Sequence, residues 1–561
     1  MRPKYNFADN IEEYDRKALM VGTGMTEEEM RRPKIAVFNT LNALNPGHIH
    51  QGPLGEAVFE SIYENGGYPV HLNGTNICDG FAVGPHALPS RDLLVNDIEV
   101  MCLAQRLDGA VLIGTCDKIV PAMLMAAGRM DIPCIILTGG YMQTPVMDGE
   151  HVDFIDIAPA RTRYLNGEIP KEKLDELVNC ACPGGGSCGM MGTANSMSLM
   201  CECIGMSLPG NATTAARSPK MLELAHACGK RIMELVEQGI TPRQIITNRS
   251  IENALHVCQA IGGSGNTIIH IPATATEAEL TIDCSEIYAK ASREVPLLIG
   301  IRPNGKYCMK DFEEAGGLGA LMNQMRDKLH LDCMQINGKT LEENIRDKRV
   351  LRPEVIHTMD DPLSSDGGLV LVKGTLAPDG AFIKRSAVPE CLMKHRGPAR
   401  CFNSRDDAIQ ALREGKIQSG DVCIVRYIGF KAGPDTAYHF AAALAGSPIG
   451  MNCATITDGR LSGAVYGAAF QYCTPEAAAM GPLTVVRDGD MIDYDIAESR
   501  LDILVPQEEI ERRLKEFQMK LPRRKGWLGI YQRCVSSVMK GAVLVEPETA
   551  EGSKHAQSAC G

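Results

Sequence analysis

Cys116, Asp117 and Lys118 stand side by side directly after an apolar run and bring three different reactive groups together. A thiolate is a soft ligand that suits iron or zinc, whereas a carboxylate is a hard ligand that suits magnesium or manganese. A site built on this tripeptide could therefore serve two metals at once. The alternative is a buried cysteine beside a solvated pair of opposite charges, because a tripeptide alone carries little information.

Three further segments combine reactive side chains with glycine. Cys188 follows the glycine-rich run 182–187 and is expected to open a helix, whose N-terminus favours a thiolate. Asp79 precedes a glycine and could be a second carboxylate ligand or part of a turn. Ser462 lies between glycines and becomes a base only if a nearby metal or cation stabilises its alkoxide. Otherwise it is an exposed serine in a turn.

The composition favours a protein with free thiols and excludes several classes of partner. The chain has 561 residues and 21 cysteines, an odd number, without a secretion signal. A disulfide framework is therefore not expected, and a cytoplasmic location is. No apolar run reaches the ~18–20 residues that a membrane span needs. The net charge of −12 and the lack of a long basic block argue against nucleic acid or a membrane as partner.

The first part of the chain alternates between short apolar runs and segments with helical spacing. Such alternation predicts a parallel sheet with helices on both faces. Ligands of such sheets collect at the carboxyl ends of the strands, where Asp79 and the 116–118 tripeptide lie. The expected strands are 34–38, 68–72, 109–113 and 133–137, and the expected helices are 53–64, 91–106, 121–130, 190–207, 218–238 and 242–261.

The pattern changes after about residue 360, where turn signals separate short apolar runs. This pattern favours a β-rich second domain, a barrel or a sandwich. We predict an α/β domain over residues 1–360, a barrel-like domain over 361–545 that carries Ser462, and a disordered polar tail over 546–561. The apolar runs are 369–373, 422–427, 483–486 and 501–505.

Together these segments resemble the dihydroxy-acid dehydratase and phosphogluconate dehydratase family over roughly residues 15–520. The order and spacing of the matching pieces are specific. They are Pro46-Gly-His-Ile-His50, Cys78-Asp-Gly80, Leu88-Pro-Ser-Arg91, Cys116-Asp-Lys118, Ser187-Cys188, Thr193-Ala-Asn-Ser-Met197, Gly262-Gly-Ser264, Asn266-Thr267, Asp366-Gly-Gly368 and Asp458-Gly-Arg-Leu-Ser-Gly463.

The resemblance implies a role for each matching residue. Cys116 and Cys188 look like ligands of an iron–sulfur cluster. Asp79 and Asp117 look like ligands of a magnesium-type ion, Mg²⁺ or Mn²⁺, and Lys118 looks like the lysine that is carbamylated to become a further ligand. Ser462 looks like the base that takes the C2 proton. The family also implies a site between an α/β domain and a β-barrel, in a homodimer or homotetramer.

Two departures from the family pattern lie near the expected site. Gly47 stands where members of the three-cysteine type have a cysteine. This leaves a [2Fe-2S] and a [4Fe-4S] cluster both open, with Cys78 or Cys182 as a possible replacement thiolate. Tyr438 stands where a glutamate metal ligand is expected. Asp435 or His439 could replace that ligand, or the ligand is lost. A substrate other than the branched-chain precursor is therefore open.

The expected reaction removes water from a 2,3-dihydroxy carboxylic acid, either a dihydroxy acid or a sugar acid, and gives a 2-keto acid. The partner would be a small hydroxy acid. One alternative is a non-catalytic iron–sulfur regulator or redox sensor on the same scaffold, which the missing glutamate favours and the retained Asp79, Asp117, Lys118 and Ser462 oppose. Another is a zinc hydrolase using the two cysteines, which no histidine-based motif supports.

Overall fold

Two β-sheets organise the chain in a computed structural model that describes residues 4–5, 7–82, 84–461 and 467–546. The first sheet has four parallel strands in the order β2-β1-β3-β4: β1 (Lys34–Asn39), β2 (Tyr68–Asn73), β3 (Gly109–Gly114) and β4 (Cys134–Thr138). Every residue of β1, β3 and β4 is buried, so other elements cover both faces. The predicted parallel sheet is confirmed.

The helices beside this sheet begin two residues earlier than the sequence pattern predicts. They are α3 (Gln51–Glu64), α4 (Pro89–Ala104) and α5 (Ile119–Met130), and they follow the short helices α1 (Tyr14–Gly22) and α2 (Glu27–Met30). The prediction placed two of these starts at Pro53 and Pro121. The first N–H groups of a helix have no acceptor within it, so proline is also tolerated one or two positions into the first turn.

A layer of further helices packs beside the first sheet. α9 begins and ends as its sequence predicts: the Ser218 side chain accepts from the Met221 amide, and Gly239 ends the helix with φ of 64°. The elements of this region are β5 (Val146–Met147), β6 (Glu150–His151), α6 (Ile157–Leu165), α7 (Lys171–Cys180), α8 (Thr193–Ile204), α9 (Pro219–Gln238), α10 (Asn248–Ala260), α11 (Thr267–Glu277), α12 (Cys284–Glu294), α13 (Met309–Glu314), α14 (Gly317–Gln324) and α15 (Leu341–Ile345).

The second sheet has eight strands in the order β14-β13-β9-β10-β11-β12-β8-β7. Lys373, just after β7, pairs with Arg500 of β14, so the two outer strands meet and the sheet is nearly closed. The predicted barrel-like domain is confirmed. Its strands are β7 (Leu369–Val372), β8 (Gly380–Lys384), β9 (Lys394–Phe402), β10 (Val422–Val425), β11 (Ala454–Thr457), β12 (Ala468–Thr474), β13 (Met491–Asp495) and β14 (Arg500–Ile503), and its helices are α16 (Arg405–Arg413), α17 (Tyr438–Ala445) and α18 (Gln507–Glu516).

One apolar run of the second half is not a strand. Residues 483–486 read as a short strand in the sequence, but Pro482–Val485 form a 3-10 helix. Pro482 fixes a helical φ at the first position, directly after Gly481, and provides no N–H for a sheet ladder. Leu483 and Val485 of this helix are nevertheless buried in the barrel core, which explains why the run is apolar.

The last described segment returns to the first half of the chain. It contains α19 (Gly526–Cys534), and its Trp527 indole donates to the Pro89 carbonyl oxygen at 3.1 Å. Arg91 of α4 donates to the carbonyl oxygens of Gly541 and Ala542. The segment therefore packs on α4 although it follows the barrel in sequence. The predicted domain limits at 360 and 545 remain predictions, and residues 547–561 of the predicted tail lie outside the described residues.

Two general expectations can be compared with the described residues. All 20 cysteines among them carry free thiols, as expected for a chain without a disulfide framework. No helix within these ranges is both long enough and apolar enough to cross a membrane.

Candidate active site

The loops that follow the four parallel strands meet at one edge of the first sheet. Two backbone bonds join them: the Thr40 amide donates to the Ile113 carbonyl oxygen at 3.2 Å, and the Gly139 amide donates to the Gly114 carbonyl oxygen at 3.0 Å. Parallel strands end on the same side, so residues that are far apart in sequence become neighbours here. The loop after β3 carries residues 116–118 into the middle of this edge.

Cys116 is held by the loop after β1. The Cys116 amide donates to Nε2 of His48 at 3.0 Å, while Nδ1 of His48 lies 2.9 Å from the Thr40 carbonyl oxygen. A carbonyl oxygen can only accept, so Nδ1 carries the proton and Nε2 is the acceptor for Cys116. Burial lowers the pKa of His48 to about 3, so the imidazole is neutral at physiological pH. The Cys116 thiol itself points at Oδ1 of Asn45, 3.4 Å away.

Cys188 lies on the loop that runs past the end of β4, and Gly47 packs against both the Cys116 sulfur and the carbonyl oxygen of Gly186 in this loop. The Ser187 amide donates to the Gly140 carbonyl oxygen at 2.9 Å, which fixes this loop against the sheet edge. Burial raises the pKa of Cys188 well above its ordinary value, and the charges of Asp153 and Cys116 raise it further. The thiol is therefore protonated unless a cation stabilises its thiolate.

Cys188 does not open a helix, contrary to the sequence-based expectation. α8 begins at Thr193, and Gly192 before it has an extended backbone. The Asn195 side chain donates to the carbonyl oxygens of Cys188 and Met190, at 2.7 and 2.6 Å. These bonds satisfy the loop in a non-helical conformation, so no helix N-terminus is available to lower the pKa of the thiol.

Asp79 lies between two cations at the same sheet edge. Its Oδ2 accepts from Lys118 Nζ at 3.0 Å and from Arg460 Nη1 at 2.9 Å. The Lys118 side chain is 1% exposed, and Arg460 is 10% exposed. Within the described residues, the buried Oδ1 of Asp79 has no hydrogen-bond partner. One oxygen of this carboxylate is therefore free to take a ligand or a cation.

The two carboxylates at this edge have pKa values shifted in opposite directions. Burial alone raises the pKa of Asp79, but Lys118 and Arg460 outweigh it and hold that pKa below its usual range. Burial also raises the pKa of Asp117, and here Lys118 does not fully offset burial and the repulsion from Asp79. Two buried acids beside one lysine form a site that a divalent cation would neutralise.

The barrel contributes Arg460, from the loop that follows β11. Asp458, two residues earlier, is buried and accepts from the amides of Tyr427, Ile428 and Ala477. It therefore shapes the loop and does not face Asp79. Ser462, the expected base, lies outside the described residues. The loop reaches Leu461, whose amide donates to the Gln471 side chain at 3.0 Å.

The segment with the missing glutamate runs beside this loop. Thr436 Oγ1 and the Ala437 amide both donate to the Arg460 carbonyl oxygen, at 3.1 and 3.0 Å. Tyr438 begins α17 immediately afterwards. Asp435 accepts from Arg405 at 3.3 Å and from the Thr436 amide, so its Oδ1 already has partners in the barrel.

Several residues that shape the site carry no separate signal in the sequence. Arg460 is part of a family-like segment, but its contact with Asp79 crosses from one domain to the other. The Tyr472 hydroxyl donates to Asn266 at 2.7 Å, and Asn266 donates to Thr193 at 3.0 Å. The Thr193 hydroxyl in turn helps to lower the pKa of Asp117. Thr193, Asn266 and the two histidines after β1 also lie in family-like segments, but no local pattern indicates which side chains they contact.

Gly47 lies directly against Cys116. A Cβ placed on Gly47 would overlap the Cys116 sulfur and would also approach Oδ1 of Asn45, at 3.3 Å. A side chain at position 47 would therefore point at this thiol. The absence of a side chain at position 47 therefore provides the space that the Cys116 sulfur occupies.

Comparisons with known proteins agree with this arrangement. Residues 32–344 match the N-terminal domain described as dihydroxy-acid/6-phosphogluconate dehydratase, and residues 354–542 match the C-terminal domain of the same description. A dihydroxy-acid dehydratase of Acetivibrio thermocellus is 43% identical over 543 residues, which is 95% of this chain and 98% of the relative. One from Caldicellulosiruptor saccharolyticus is 44% identical with the same coverage, and one from Methanosarcina barkeri is 41% identical over 94% and 97% of the two chains.

Both halves of the chain match this one family, and the matched ranges contain the loops that meet at the sheet edge as well as the strand that leads to Arg460. The relatives align from end to end, so the likeness covers both domains and their contact at Asp79. The chain therefore belongs to the dihydroxy-acid/6-phosphogluconate dehydratase family, and it is a dehydratase, that is, a hydro-lyase.

Proposed function

We propose that this protein removes water from a 2,3-dihydroxy carboxylic acid, either a dihydroxy acid or a sugar acid, and releases a 2-keto acid. The observation that carries the proposal is the position of Asp79 between Lys118 and Arg460, at the sheet edge where the Cys116 loop and the Cys188 loop both pack on Gly47. The relatives are named dihydroxy-acid dehydratases, which supports the dihydroxy-acid half of this substrate class. The departures from the family pattern around Tyr438 are the reason for including sugar acids as candidate substrates.

The chemistry of the thiols fits an iron–sulfur cluster held by Cys116 and Cys188. Neighbouring thiols are the ligands that such clusters use. Cys78 or Cys182 would supply a third thiolate, since Cys78 directly precedes Asp79 and Cys182 begins the glycine-rich run before Cys188. Both a [2Fe-2S] and a [4Fe-4S] cluster are compatible with these residues. An iron without a protein ligand would leave a position for substrate.

The carboxylates fit a hard cation, Mg²⁺ or Mn²⁺. Asp79 offers a buried oxygen without a partner, and Asp117 is a second buried carboxylate beside it. Lys118 would complete the ligands once carbamylated, since a carbamate supplies oxygen ligands in place of an ammonium group. Carboxylates and other oxygen donors are the ligands that magnesium prefers. Carbamylation would also remove the ammonium charge of Lys118, which now pairs with Asp79 and would compete with a bound cation for that carboxylate.

The chain's own residues would bind the substrate and move one proton. When bound, the cluster and the hard cation supply the Lewis acidity that weakens the C3–O bond and acidifies the C2 hydrogen. Arg460 provides a fixed, buried positive charge beside Asp79, suited to the anionic head of a hydroxy acid. Ser462, two residues further along, would take the C2 proton. Burial of Lys118 and Arg460 keeps this chemistry away from bulk water.

The proposal is tested on protein purified without oxygen. We expect bound iron and sulfide, together with 2-keto acid formation from at least one member of a panel of dihydroxy acids and aldonic acids. Ser462→Ala should lose this activity and keep the iron, whereas Ser447→Ala, at the end of α17, should keep both. Ser462→Ala with unchanged turnover would refute the base assignment. A protein with iron but no turnover on any substrate would support the regulator instead.

Two finer expectations belong to the same proposal. We infer a homodimer or homotetramer, since the family assembles in this way, and a cytoplasmic location, since the described cysteines are all free thiols. Light scattering of the purified protein tests the first expectation. A monomer at assay concentration would contradict it.

A further inference from the structure

A second group of metal-binding side chains lies outside the site described above. His151 of β6, Cys308 and Asp311 of α13 each present one ligand atom, and these three atoms lie within 4.8 Å of one another. Cys308 Sγ is 4.0 Å from His151 Nε2 and 3.2 Å from Asp311 Oδ2, and the remaining pair is 3.7 Å apart. Two segments that are distant in sequence, β6 and the start of α13, thus bring nitrogen, sulfur and oxygen donors together.

These distances match a shared ion better than a catalytic relay. Ligand pairs around a tetrahedral zinc ion, with bonds of about 2.0–2.3 Å, are separated by about 3.4–3.6 Å. In a cysteine–histidine–aspartate relay the thiol and the carboxylate contact opposite ring nitrogens. Here both Cys308 and Asp311 face the same nitrogen, Nε2 of His151, so a relay is excluded. Convergence on one point is what a metal ion requires.

We propose that His151, Cys308 and Asp311 bind one divalent transition-metal ion of the zinc class, separate from the metals of the dehydratase site. A neutral imidazole and a thiolate favour zinc or a similar ion over magnesium, and the carboxylate completes three ligands. The His151 side chain is 31% exposed, which leaves an entry path and room for water as fourth ligand. The thiolate and the carboxylate together balance the charge of the ion.

The surrounding structure orients the carboxylate ligand. Asp311 Oδ1 accepts from Arg352 at 3.0 Å, and Oδ2 accepts from the Cys308 amide at 2.9 Å, so the carboxylate is held at the start of α13. Such outer contacts fix the direction of a ligand before the ion arrives. Burial raises the pKa of Cys308, so the thiol is protonated in the metal-free protein and ion binding should release its proton.

A backbone hydrogen bond connects the proposed ion site to the loop that carries Cys188. The Met309 amide, next to Cys308, donates to the Gly189 carbonyl oxygen at 2.9 Å. Gly189 follows Cys188 directly. An ion that fixes Cys308 would therefore steady the loop that positions Cys188. We assign it a structural role, because it contacts none of the residues proposed to react.

Cobalt titration of the full-length chain tests the site. Thiolate-bound Co²⁺ gives a near-ultraviolet charge-transfer band and visible d–d bands, so the probe reports on sulfur ligation. To remove the thiols of the first site, we use a Cys116→Ser/Cys188→Ser background, freed of metal with a chelator. We expect about one cobalt ion per chain with the thiolate band. Zinc should displace it, and magnesium should not.

Variants decide which residues hold the ion. Cys308→Ser should lose the thiolate band, and His151→Gln should weaken cobalt binding by at least about tenfold. Cys333→Ser is the matched control, a buried thiol with an adjacent acid, Asp332, and it should keep the band. His151 is partly exposed, so its variant should fold and keep the proposal testable if Cys308→Ser does not. Unchanged cobalt binding in both variants would overturn the proposal, whatever the activity of the dehydratase site.

Discussion

Position 47 shows how a missing side chain can matter for a metal site. A Cβ on Gly47 would overlap the Cys116 sulfur, so Gly47→Ala must displace that thiol. Overpacking of this kind costs about 1–3 kcal/mol, which in iron binding corresponds to about 5- to 150-fold. We expect Gly47→Ala to bind less iron and to lose activity in proportion. Iron and sulfide analysis of anaerobically purified protein measures this change.

Gly52 provides the control for this substitution. It lies five residues further along, in the first turn of α3, and a Cβ there meets no atom of the described residues within 4 Å. Gly52→Ala should therefore keep the iron content and slightly stabilise the helix. Equal iron content in Gly47→Ala and Gly52→Ala would mean that the thiol of Cys116 does not need this space.

Asp79 provides the negative charge that pairs with Lys118 of the first domain and with Arg460 of the barrel. Asp79→Asn removes the anion between Lys118 and Arg460 and leaves two buried cations facing each other. Removing one partner of a buried ion pair costs about 3–5 kcal/mol. We expect lower stability and more than about a 100-fold loss of metal-dependent activity. Chemical denaturation and keto-acid assays over a range of Mg²⁺ concentrations measure the two effects.

Asp435→Asn separates the alternatives for the missing glutamate ligand. Asp435 is paired with Arg405, and its side chain is about one quarter exposed, so its loss should cost less than about 1 kcal/mol. Activity within about tenfold of the unchanged protein is expected if Asp435 is not a ligand. If the Mg²⁺ requirement of Asp435→Asn rose as steeply as that of Asp79→Asn, the carboxylate at 435 would be the replacement ligand.

The strand–helix alternation was enough to predict that Asp79 and residues 116–118 lie at one sheet edge, because parallel strands impose a common end on the loops that follow them. It could not supply the partner of Asp79. Arg460 lies 381 positions away, and such a contact depends on how the barrel docks, which no local pattern encodes. The helix start at Cys188 was wrong for a similar reason, since the Asn195 side chain stabilises the loop instead.

At the scale of elements, the turn after β12 holds a carboxyl group that should make stability depend on pH. Burial, reinforced by Asp458, raises the pKa of Glu476 from 4.5 to about 8. Its Oε1 accepts from the Lys431 amide at 3.0 Å, whereas Oε2 is buried without a partner among the described residues. Below pH 4.5 the group is neutral in both states and costs nothing. As pH rises towards 8, the unfolded chain loses the proton first, so stability falls.

Glu476→Gln should remove this dependence, because an amide keeps the bond to Lys431 and has no proton to lose. We expect the variant to be more stable than the unchanged protein near pH 8, by a margin on the order of 1–3 kcal/mol, and to differ little near pH 4.5. Urea denaturation at pH 5 and pH 8 provides the comparison. Glu498→Gln, on an exposed turn, controls for the loss of a surface charge. An equal effect of the two substitutions would contradict the burial argument.

Strongly patterned elements are those that the sequence predicts well. α9 has a serine cap, a proline at its first position and a glycine at its end, and its bounds agree with the prediction. The 3-10 helix Pro482–Val485 is apolar like a strand, and only Pro482 argues against a ladder. A short apolar run predicts that a segment is buried, but a buried segment can be either a strand or a short helix.

At the scale of the whole molecule, the C-terminal segment (residues 526–546) ties the end of the chain to the first domain. Tyr531, Val535 and Val538 belong to the core cluster that contains β1 and β3. Arg91, fully buried, places its guanidinium on the carbonyl oxygens of Gly541 and Ala542. The barrel is therefore held between two parts of the chain that pack on one core. We expect the two domains to unfold together and not in sequence.

Two adjacent residues of α19 test this expectation. Tyr531 is 1% exposed and Ile530 is 45% exposed, so Tyr531→Ala empties a buried volume and Ile530→Ala does not. The first should cost about 3–5 kcal/mol and the second less than about 0.5 kcal/mol. Trp527 is the only tryptophan of the chain, and it lies between Pro89 and Tyr531, so its fluorescence reports on the packing of α19 against the first domain. In the unchanged protein, tryptophan emission and far-ultraviolet circular dichroism should change at the same urea concentration.

In Tyr531→Ala both transitions should move to lower urea concentrations, and the change in tryptophan emission should come first. Coincident, unshifted transitions in that variant would show that the segment adds nothing to the stability of the first domain.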